Sequence, residues 1–235
     1  MGRTVRHLHQ LTPFKRGSGS YHIKIKEFRM IEYSKYRELS PTAYAEALNR
    51  CQFMDLGINE LWPQIPRIAG PAFTVQLHPG DNLMLHAAIY VAPAGSIVVV
   101  DAGNTDFAVA GGNVCAVAQK RGVAGFVIDG VIRDLAEIRQ NKFPVFARGV
   151  IPIPGQKNIA GPLNTPINCG GVNISPGDII VADEEGIAVI PTGREDEVYR
   201  KAKNREEEDA MTSLDDWETA HHAKIMSLIN QNTKT

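Results

Sequence analysis

The sequence predicts an α/β domain of the mixed-sheet, layered type with a helical C-terminal arm. Three observations point there. Continuous apolar runs of strand length, such as Ile97-Val98-Val99-Val100 and Phe126-Val127-Ile128, need cover on both faces. Helical patterns lie between them, but without a regular strand–helix–strand alternation, and from Asn168 onward short β segments follow one another, which argues against a doubly wound sheet. From Glu195 the chain turns charged and helix-compatible to about residue 229. No linker divides residues 30–195, so the reading is a basic extension over 1–29, one domain over 30–195 and an arm over 196–235.

Composition sets the outer bounds. A chain of 235 residues buries roughly 70% of its unfolded surface, enough for one large domain or two small ones. The apolar fraction of 43% and charged fraction of 22% are those of an ordinary globular protein. A net charge of −1 argues against a nucleic-acid partner bound by bulk electrostatics, and no apolar run has the length of a membrane span. Cys51, Cys115 and Cys169 are scattered, with no CxxC pair and no thiolate zinc pattern. With no signal-peptide pattern either, the cytoplasm is the expected compartment. Arg3, Arg6, Lys15, Arg16, Lys24, Lys26 and Arg29 face the single acid Glu27 in the first 29 residues, which read as an extension or as an arm for an anionic partner.

Taken in order, Ser40-Pro41 predicts an N-cap and first-turn proline for a helix over 39–50. Asp55 before Gly57 reads as a turn former. Residues 70–77 read as a strand, and Gly80-Asp81-Asn82 as the cap of a helix carrying Leu85, His86 and Ile89, with His86 taken as a packing or surface histidine. After the strand at 97–101, residues 112–121 form a short helix closed by Gly122, followed by strands at 124–128 and 144–148. Residues 171–174 and 179–182 are expected to form a hairpin about the turn Ser175-Pro176-Gly177-Asp178, with a further turn at 183–186. Gly177–Asp183 echoes Gly95–Asp101.

The stretch Gly111–Glu137 concentrates the chemistry. Gly111-Gly112-Asn113-Val114 precedes a helix, where free amides and the helix dipole favour a carboxylate or phosphate. Arg133 and Asp134 follow Asp129-Gly130; a guanidinium there can bind a carbonyl or enolate oxygen, and a carboxylate can hold a hard divalent cation. Glu137, three residues on, shares a face with Asp134. The same Asp134-x-x-Glu137 spacing also fits a capping box with Arg133 as an ion-pair partner, and spacing alone leaves both open. GxSxG, HExxH, GxxxxGK[ST] and GxGxxG are all absent, and His221-His222 read as part of a solvated helix face.

Gly112-x20-Arg133-Asp134-x2-Glu137 resembles the family shared by 4-hydroxy-4-methyl-2-oxoglutarate aldolase and the regulator of ribonuclease E activity A. Gly80-Asp81-Asn82-Leu83, Arg121-Gly122-Val123-Ala124-Gly125, Val127-Ile128-Asp129-Gly130, Pro144–Gly149 and Pro176-Gly177-Asp178 match as well, so the likeness runs through residues 40 to 210. The resemblance implies a layered, swivelling-type β/β/α fold, a homotrimer or homohexamer with sites between subunits, and a class II pyruvate aldolase using Mg²⁺ or Mn²⁺ with oxaloacetate decarboxylation as a side activity. By the same resemblance Gly111, Gly112, Asn113 and Val114 offer amides to the pyruvyl carboxylate. Arg133 binds substrate and enolate, Asp134 anchors the metal and Glu137 supports its water shell. Some members carry an acid where this chain has Gly112; the nearest upstream acids are Asp106 and Asp101. Glu206, Glu207 or Glu208 is a candidate to complete a neighbour's site. The substrate implied is a small 2-oxo acid. The alternatives are a non-catalytic module that binds a ribonuclease, and another lyase or hydratase of sugar-acid breakdown. Gln156-Lys157-Asn158 reads as a surface loop, or as a contact to a distal carboxylate.

Overall fold

The computed structural model describes residues 33–232; the basic segment 1–29 singled out above lies outside the described residues. The chain opens with 3₁₀ turns at Tyr33–Glu38, Pro41–Tyr44 and Arg50–Gln52, in place of the single helix expected over 39–50. Ser40 does accept from the Thr42 N–H ahead of Pro41, but the helical geometry stops within a turn. Tyr44 explains why: its ring is fully buried and its hydroxyl donates to the Tyr36 carbonyl at 3.0 Å, so packing overrides the local pattern.

The strands follow as β1 (Asn59–Glu60), β2 (Ile68–Gln76), β3 (Ile97–Asp101), β4 (Ala108–Ala110), β5 (Gly125–Ile132), β6 (Val145–Val150), β7 (Ile167–Cys169), β8 (Val172–Ile174), β9 (Ile179–Asp183) and β10 (Gly186–Ile190). The helices are α1 (Leu83–Val91), α2 (Gly112–Lys120), α3 (Leu135–Gln140), α4 (Glu195–Met211) and α5 (Leu214–Asn232). The large sheet runs β1-β6-β5-β3-β2-β9-β10 with β4 beside β5, and β7 pairs with β8 apart from it. Parallel pairs (β2–β3, β3–β5, β5–β6) and antiparallel pairs (β2–β9, β9–β10, β1–β6) meet in this one sheet, as the irregular alternation predicts. The β7–β8 pair packs on β2 and β3, and α1, α2 and α3 pack as one helical layer, which gives the layered order.

β2 divides its two edges. Residues 68–71 pair with β9 and residues 72–76 with β3, and the exchange falls at Pro71, which has no N–H to give to a ladder. The self-similar segments 95–101 and 177–183 are thereby explained: each supplies a neighbour of β2. The expected hairpin does not form, because β8 turns back through Gly170 and Gly171, both at positive φ, to pair with β7. The turn at 175–178 exists, with the Asp178 carboxylate accepting from the Ser175 N–H, but it joins the small sheet to the large one.

Two departures from the sequence reading position the site. β5 does not end at Asp129-Gly130: its register against β6 shifts between Ile128 and Val131, and the strand continues to Ile132. Gly130 sits against the Ala102 Cβ, where a side chain would collide. The extended strand pairs with β4, which the sequence does not announce, and the Arg133 N–H donates to the Ala110 carbonyl at 2.9 Å. That pairing lays the β5–α3 turn against the start of α2.

Beyond the domain, α4 buries Val198 and Ala202, and Tyr199 meets Tyr36 edge-on at 5.3 Å. No residue of α5 is buried, and Leu214, Trp217, Leu228 and Ile229 are among its exposed apolar side chains. No helix among the described residues is long and apolar enough to cross a membrane.

Candidate active site

α2 begins at Gly112 with Gly111 as its N-cap, and the Cys115 N–H makes the first intrahelical bond, to the Gly111 carbonyl at 3.0 Å. The Asn113 and Val114 N–H groups therefore have no intrahelical acceptor, and the helix dipole adds to them. The Gly112 N–H is already engaged, donating to Asp134 Oδ2 at 3.1 Å.

Asp134 adopts a left-handed conformation, φ 59° and ψ 37°, and its side chain makes no capping bond to α3. The capping-box reading therefore fails here: an N-cap needs an extended backbone, and the αL turn swings the carboxylate away from its own helix. It points instead at α2. Arg133 Nε lies 3.4 Å from the same Oδ2, with the Arg133 and Asp134 side chains 43% and 37% exposed, so both stay open to a ligand. Asp134 Oδ1 has no hydrogen-bond partner among the described residues.

The glycine pair makes this approach possible. A Cβ on Gly111 would press on Asp134 Oδ2 and lie 3.1 Å from Arg133 Cγ; a Cβ on Gly112 would overlap the Glu137 carboxylate. Glycine is needed for space rather than for dihedral freedom, since Gly111 is extended. A side chain at 112 would have to displace the Glu137 carboxylate, which is exposed.

These groups line a cavity of about 200 Å³ whose wall includes Gly111, Asn113, Val114, Arg133 and Asp134. Its size suits a short organic acid. Gly112 and Glu137 back this wall rather than form it. The wall also includes Asn82, from the expected helix cap, His86, expected as a packing or surface histidine, and Lys157, from the segment read as a surface loop or as a contact to a distal carboxylate. His86 is half-buried, and burial first, then the charge of Lys157, lowers its pKa. Asn82 is 3% exposed and its Oδ1 has no hydrogen-bond partner among the described residues. Within the Gly80-Asp81-Asn82 cap the side-chain bond comes from Asp81, whose Oδ1 accepts from the Leu83 N–H at 2.8 Å. Burial of Cys115, with the Asp134 charge adding to it, pushes its thiol up to about 12, which removes it as a nucleophile.

A model of the RraA-like family, described as Aldolase/RraA, matches residues 42–189. The chain belongs to the RraA-like family. A protein of Halalkalibacterium halodurans, provisionally named 4-hydroxy-4-methyl-2-oxoglutarate aldolase, is 40% identical over 177 residues, 75% of this chain and 84% of that one. An uncharacterized protein from Pseudomonas syringae pv. tomato superposes with a TM-score of 0.71 at 26% identity, over 86% of this chain and 100% of that one. The RNA-processing inhibitor RraA from Thermus thermophilis superposes with a TM-score of 0.55 at 28% identity, over 60% of this chain and 87% of that one. The RraA-like family thus includes relatives named for catalysis and relatives named for regulation.

Within this RraA-like chain the donor set suits a hard divalent cation of the Mg²⁺ type. No group of three His, Cys, Asp or Glu side chains converges among the described residues, so a site built wholly from protein ligands is not on offer. One carboxylate with a free oxygen at the wall of a small-molecule cavity, and a second carboxylate close by, is the donor set Mg²⁺ takes when it keeps waters and substrate oxygens as its other ligands.

Proposed function

We propose that this protein is a divalent-metal-dependent aldolase, a carbon–carbon lyase that cleaves a 4-hydroxy-2-oxo acid resembling 4-hydroxy-4-methyl-2-oxoglutarate to pyruvate and a second oxo compound. The observation that carries this reading is the convergence of Arg133 and Asp134 on the N-terminus of α2 through the Gly111-Gly112 gap. A regulatory surface has no need of that arrangement.

The chemistry follows from charge. Cleavage breaks the C3–C4 bond; its electron pair forms the C2–C3 double bond and leaves negative charge on the C2 oxygen. The C4 hydroxyl gives up its proton and becomes the carbonyl of the second product, and C3 then takes a proton to give pyruvate. The Asn113 and Val114 N–H groups bind the pyruvyl carboxylate. Arg133 faces the C2 oxygen, where a preorganised donor contributes several kcal/mol in a water-poor site. Asp134 would hold Mg²⁺ or Mn²⁺ with Glu137 behind it, and such an ion would supply further positive charge to stabilise the enolate. Decarboxylation of oxaloacetate passes through the same enolate and is the expected side activity.

The reading includes a homotrimer or homohexamer, for which the exposed apolar residues of α5 offer contact area. A second reading, a regulator that binds a ribonuclease, draws its support from the RNA-processing inhibitor among the structural neighbours. Pyruvate release from 4-hydroxy-4-methyl-2-oxoglutarate and from oxaloacetate, with and without EDTA, separates the two. Release abolished by EDTA and by Asp134→Ala supports the aldolase. Activity that survives both overturns its metal dependence, and inactivity on both acids together with tight binding to a ribonuclease favours the regulator.

A further inference from the structure

α5 is a complete helix that buries nothing in its own chain. Ser213 starts it: its Oγ accepts from the Asp216 N–H at 3.1 Å and donates to the Asp216 carboxylate at 2.7 Å, and the Trp217 N–H donates to the Ser213 carbonyl at 2.9 Å. The helix then runs for 19 residues with none of them buried. A solitary helix of this length is marginal in water, and its stability ordinarily comes from packing an apolar face. α5 has such a face. At 3.6 residues per turn, Leu214, Trp217, His221, Ile225 and Leu228 fall within an arc of roughly 80°. The opposite side carries Asp216, Thr219, Ala223, Ser227 and Asn230. Each of the four apolar members is at least 38% exposed. The His221 ring stacks on Trp217 with centroids 4.4 Å apart, which carries the apolar surface across the gap between Trp217 and Ile225. The RraA-like match ends at residue 189, so this face is no part of the matched domain.

The face is complementary to itself. Its steps of three, four, four and three residues read the same from either end, with His221 at the centre. An isologous pair about a two-fold axis requires such a surface, since the same patch serves both copies. The charges choose the direction. The acids of α5, Asp215, Asp216 and Glu218, lie in its first half, and its one lysine, Lys224, lies in the second. A parallel pair would set both groups of carboxylates together at one end and align the two helix dipoles. An antiparallel pair sends them to opposite ends and opposes the dipoles. Glu218 and Lys224 border the face on opposite sides. In the antiparallel register Lys224 comes within one residue of the partner's Trp217 along the axis, on the same flank, where the indole can take the cation. Three acids on one short helix also disfavour an anionic membrane surface as the occupant.

We propose that α5 pairs antiparallel with the α5 of a second copy of this chain, about a two-fold axis at His221. Leu214 packs on the partner's Leu228, Trp217 on the partner's Ile225, and the two His221 rings meet at the axis. The pairing is independent of the cavity chemistry and rests on the oligomer of the proposed function only for its stoichiometry. Two-fold pairs need an even number of chains, so α5 selects the hexamer, two trimers joined through three helix pairs. One pair of helices this short is a small interface, at the low end for a specific contact. Three pairs acting together supply the avidity that one lacks.

Light scattering on the full chain tests the pairing. Wild type is expected at the mass of six chains, and Ile225→Asp, which puts a carboxylate in the middle of the face, at half that mass. His221→Leu removes the polar group at the axis and is expected to keep six chains at dilutions where wild type falls to three. Disulfide trapping reads the direction, in a Cys51→Ser background because Cys51 is exposed. His221→Cys is expected to link two chains at the axis, and Leu214→Cys to link only when Leu228→Cys is present on the same chain. A mass that Ile225→Asp leaves unchanged, or a link formed by Leu214→Cys alone, overturns the pairing. Three chains in wild type and in Ile225→Asp alike overturn it and leave the trimer standing. Two chains that Ile225→Asp reduces to one bear out the pairing and overturn the trimer. One chain throughout overturns both.

Discussion

The Asp134 carboxylate accepts the Gly112 N–H at 3.1 Å, so the residue at the head of α3 serves the head of α2. The contact spans the gap between two elements that the sequence separates by a helix and a strand. It also engages the Gly112 amide, which leaves the Asn113 and Val114 N–H groups as those at the start of α2 proposed to meet the substrate carboxylate.

Gly111→Ala tests the close approach directly. The added methyl group meets Asp134 Oδ2 and Arg133 Cγ, and both side chains are partly exposed and can swing away. Stability is therefore expected to change by less than about 1 kcal/mol. Displacing the arginine and the carboxylate by an ångström is expected to lower kcat/KM for pyruvate release by on the order of a hundredfold. Thermal melts and steady-state kinetics on the same preparation read the two effects.

Asp134→Asn keeps an acceptor for the Gly112 N–H and removes the charge. Its melting point is expected to stay near wild type. Its activity is expected to fall by at least about a hundredfold, because an interaction at developing charge is lost. Asp134→Ala should be no more active but less stable, since the Gly112 N–H then loses its partner. A Mg²⁺ titration followed by calorimetry should show binding by wild type and none by either variant.

Asp81 is 4% exposed, and burial alone would raise its pKa. Three backbone N–H donors, from Leu83, Asn158 and Ile159, outweigh that and hold it below the usual carboxylate value. The unfolded chain therefore takes up this proton first as pH falls. The contribution to stability is complete above the unfolded value of about 3.9 and is lost as pH drops through the folded one. Asp81→Asn is expected to cost about 1–3 kcal/mol at neutral pH. Urea midpoints of wild type and variant should then converge below about pH 4.

Much of the fold could be read from local pattern. The run at 97–101 is a strand covered on both faces, and Gly122, at φ 84° after α2, closes that helix as its sequence predicts. Arg133-Asp134 could be located but not oriented, because a capping box and a reach toward α2 have the same spacing and differ only in the αL turn at Asp134. β4 has three residues and exists because β5 continues past its bulge to meet it. The pairing of β8 was decided by Gly170-Gly171 rather than by the equally good turn at 175–178. His86 and Lys157 lie far apart in the chain, and only the anchoring of residues 155–159 by Gly80, Asp81 and Ala108 brings them to one cavity.

Arg148 ties three elements together and supplies the last prediction. Its Nη1 and Nη2 donate to Asp55 at 3.0 and 2.8 Å, and its Nε donates to Asp129 on β5 at 2.5 Å. The Arg148 and Asp129 side chains are 27% and 23% exposed, whereas Asp55 is 46% exposed. The fork geometry matters, because two carboxylates are held in fixed directions by one planar group. Asp55 also accepts the Gly57 N–H at 2.7 Å, so the turn expected there is present and is braced from β6. Arg148→Met leaves Asp129 half-buried beside an apolar chain and is expected to cost about 1–3 kcal/mol, with the exposed Asp55 arm contributing the smaller part. Arg148→Lys keeps the charge but can serve only one carboxylate well, so it should recover less than half of the loss. Urea unfolding of Arg148→Met, Asp55→Ala and the double variant gives the coupling of the exposed arm, expected at or below about 1 kcal/mol. A coupling well above that value would place the main contact at Asp55 rather than at Asp129.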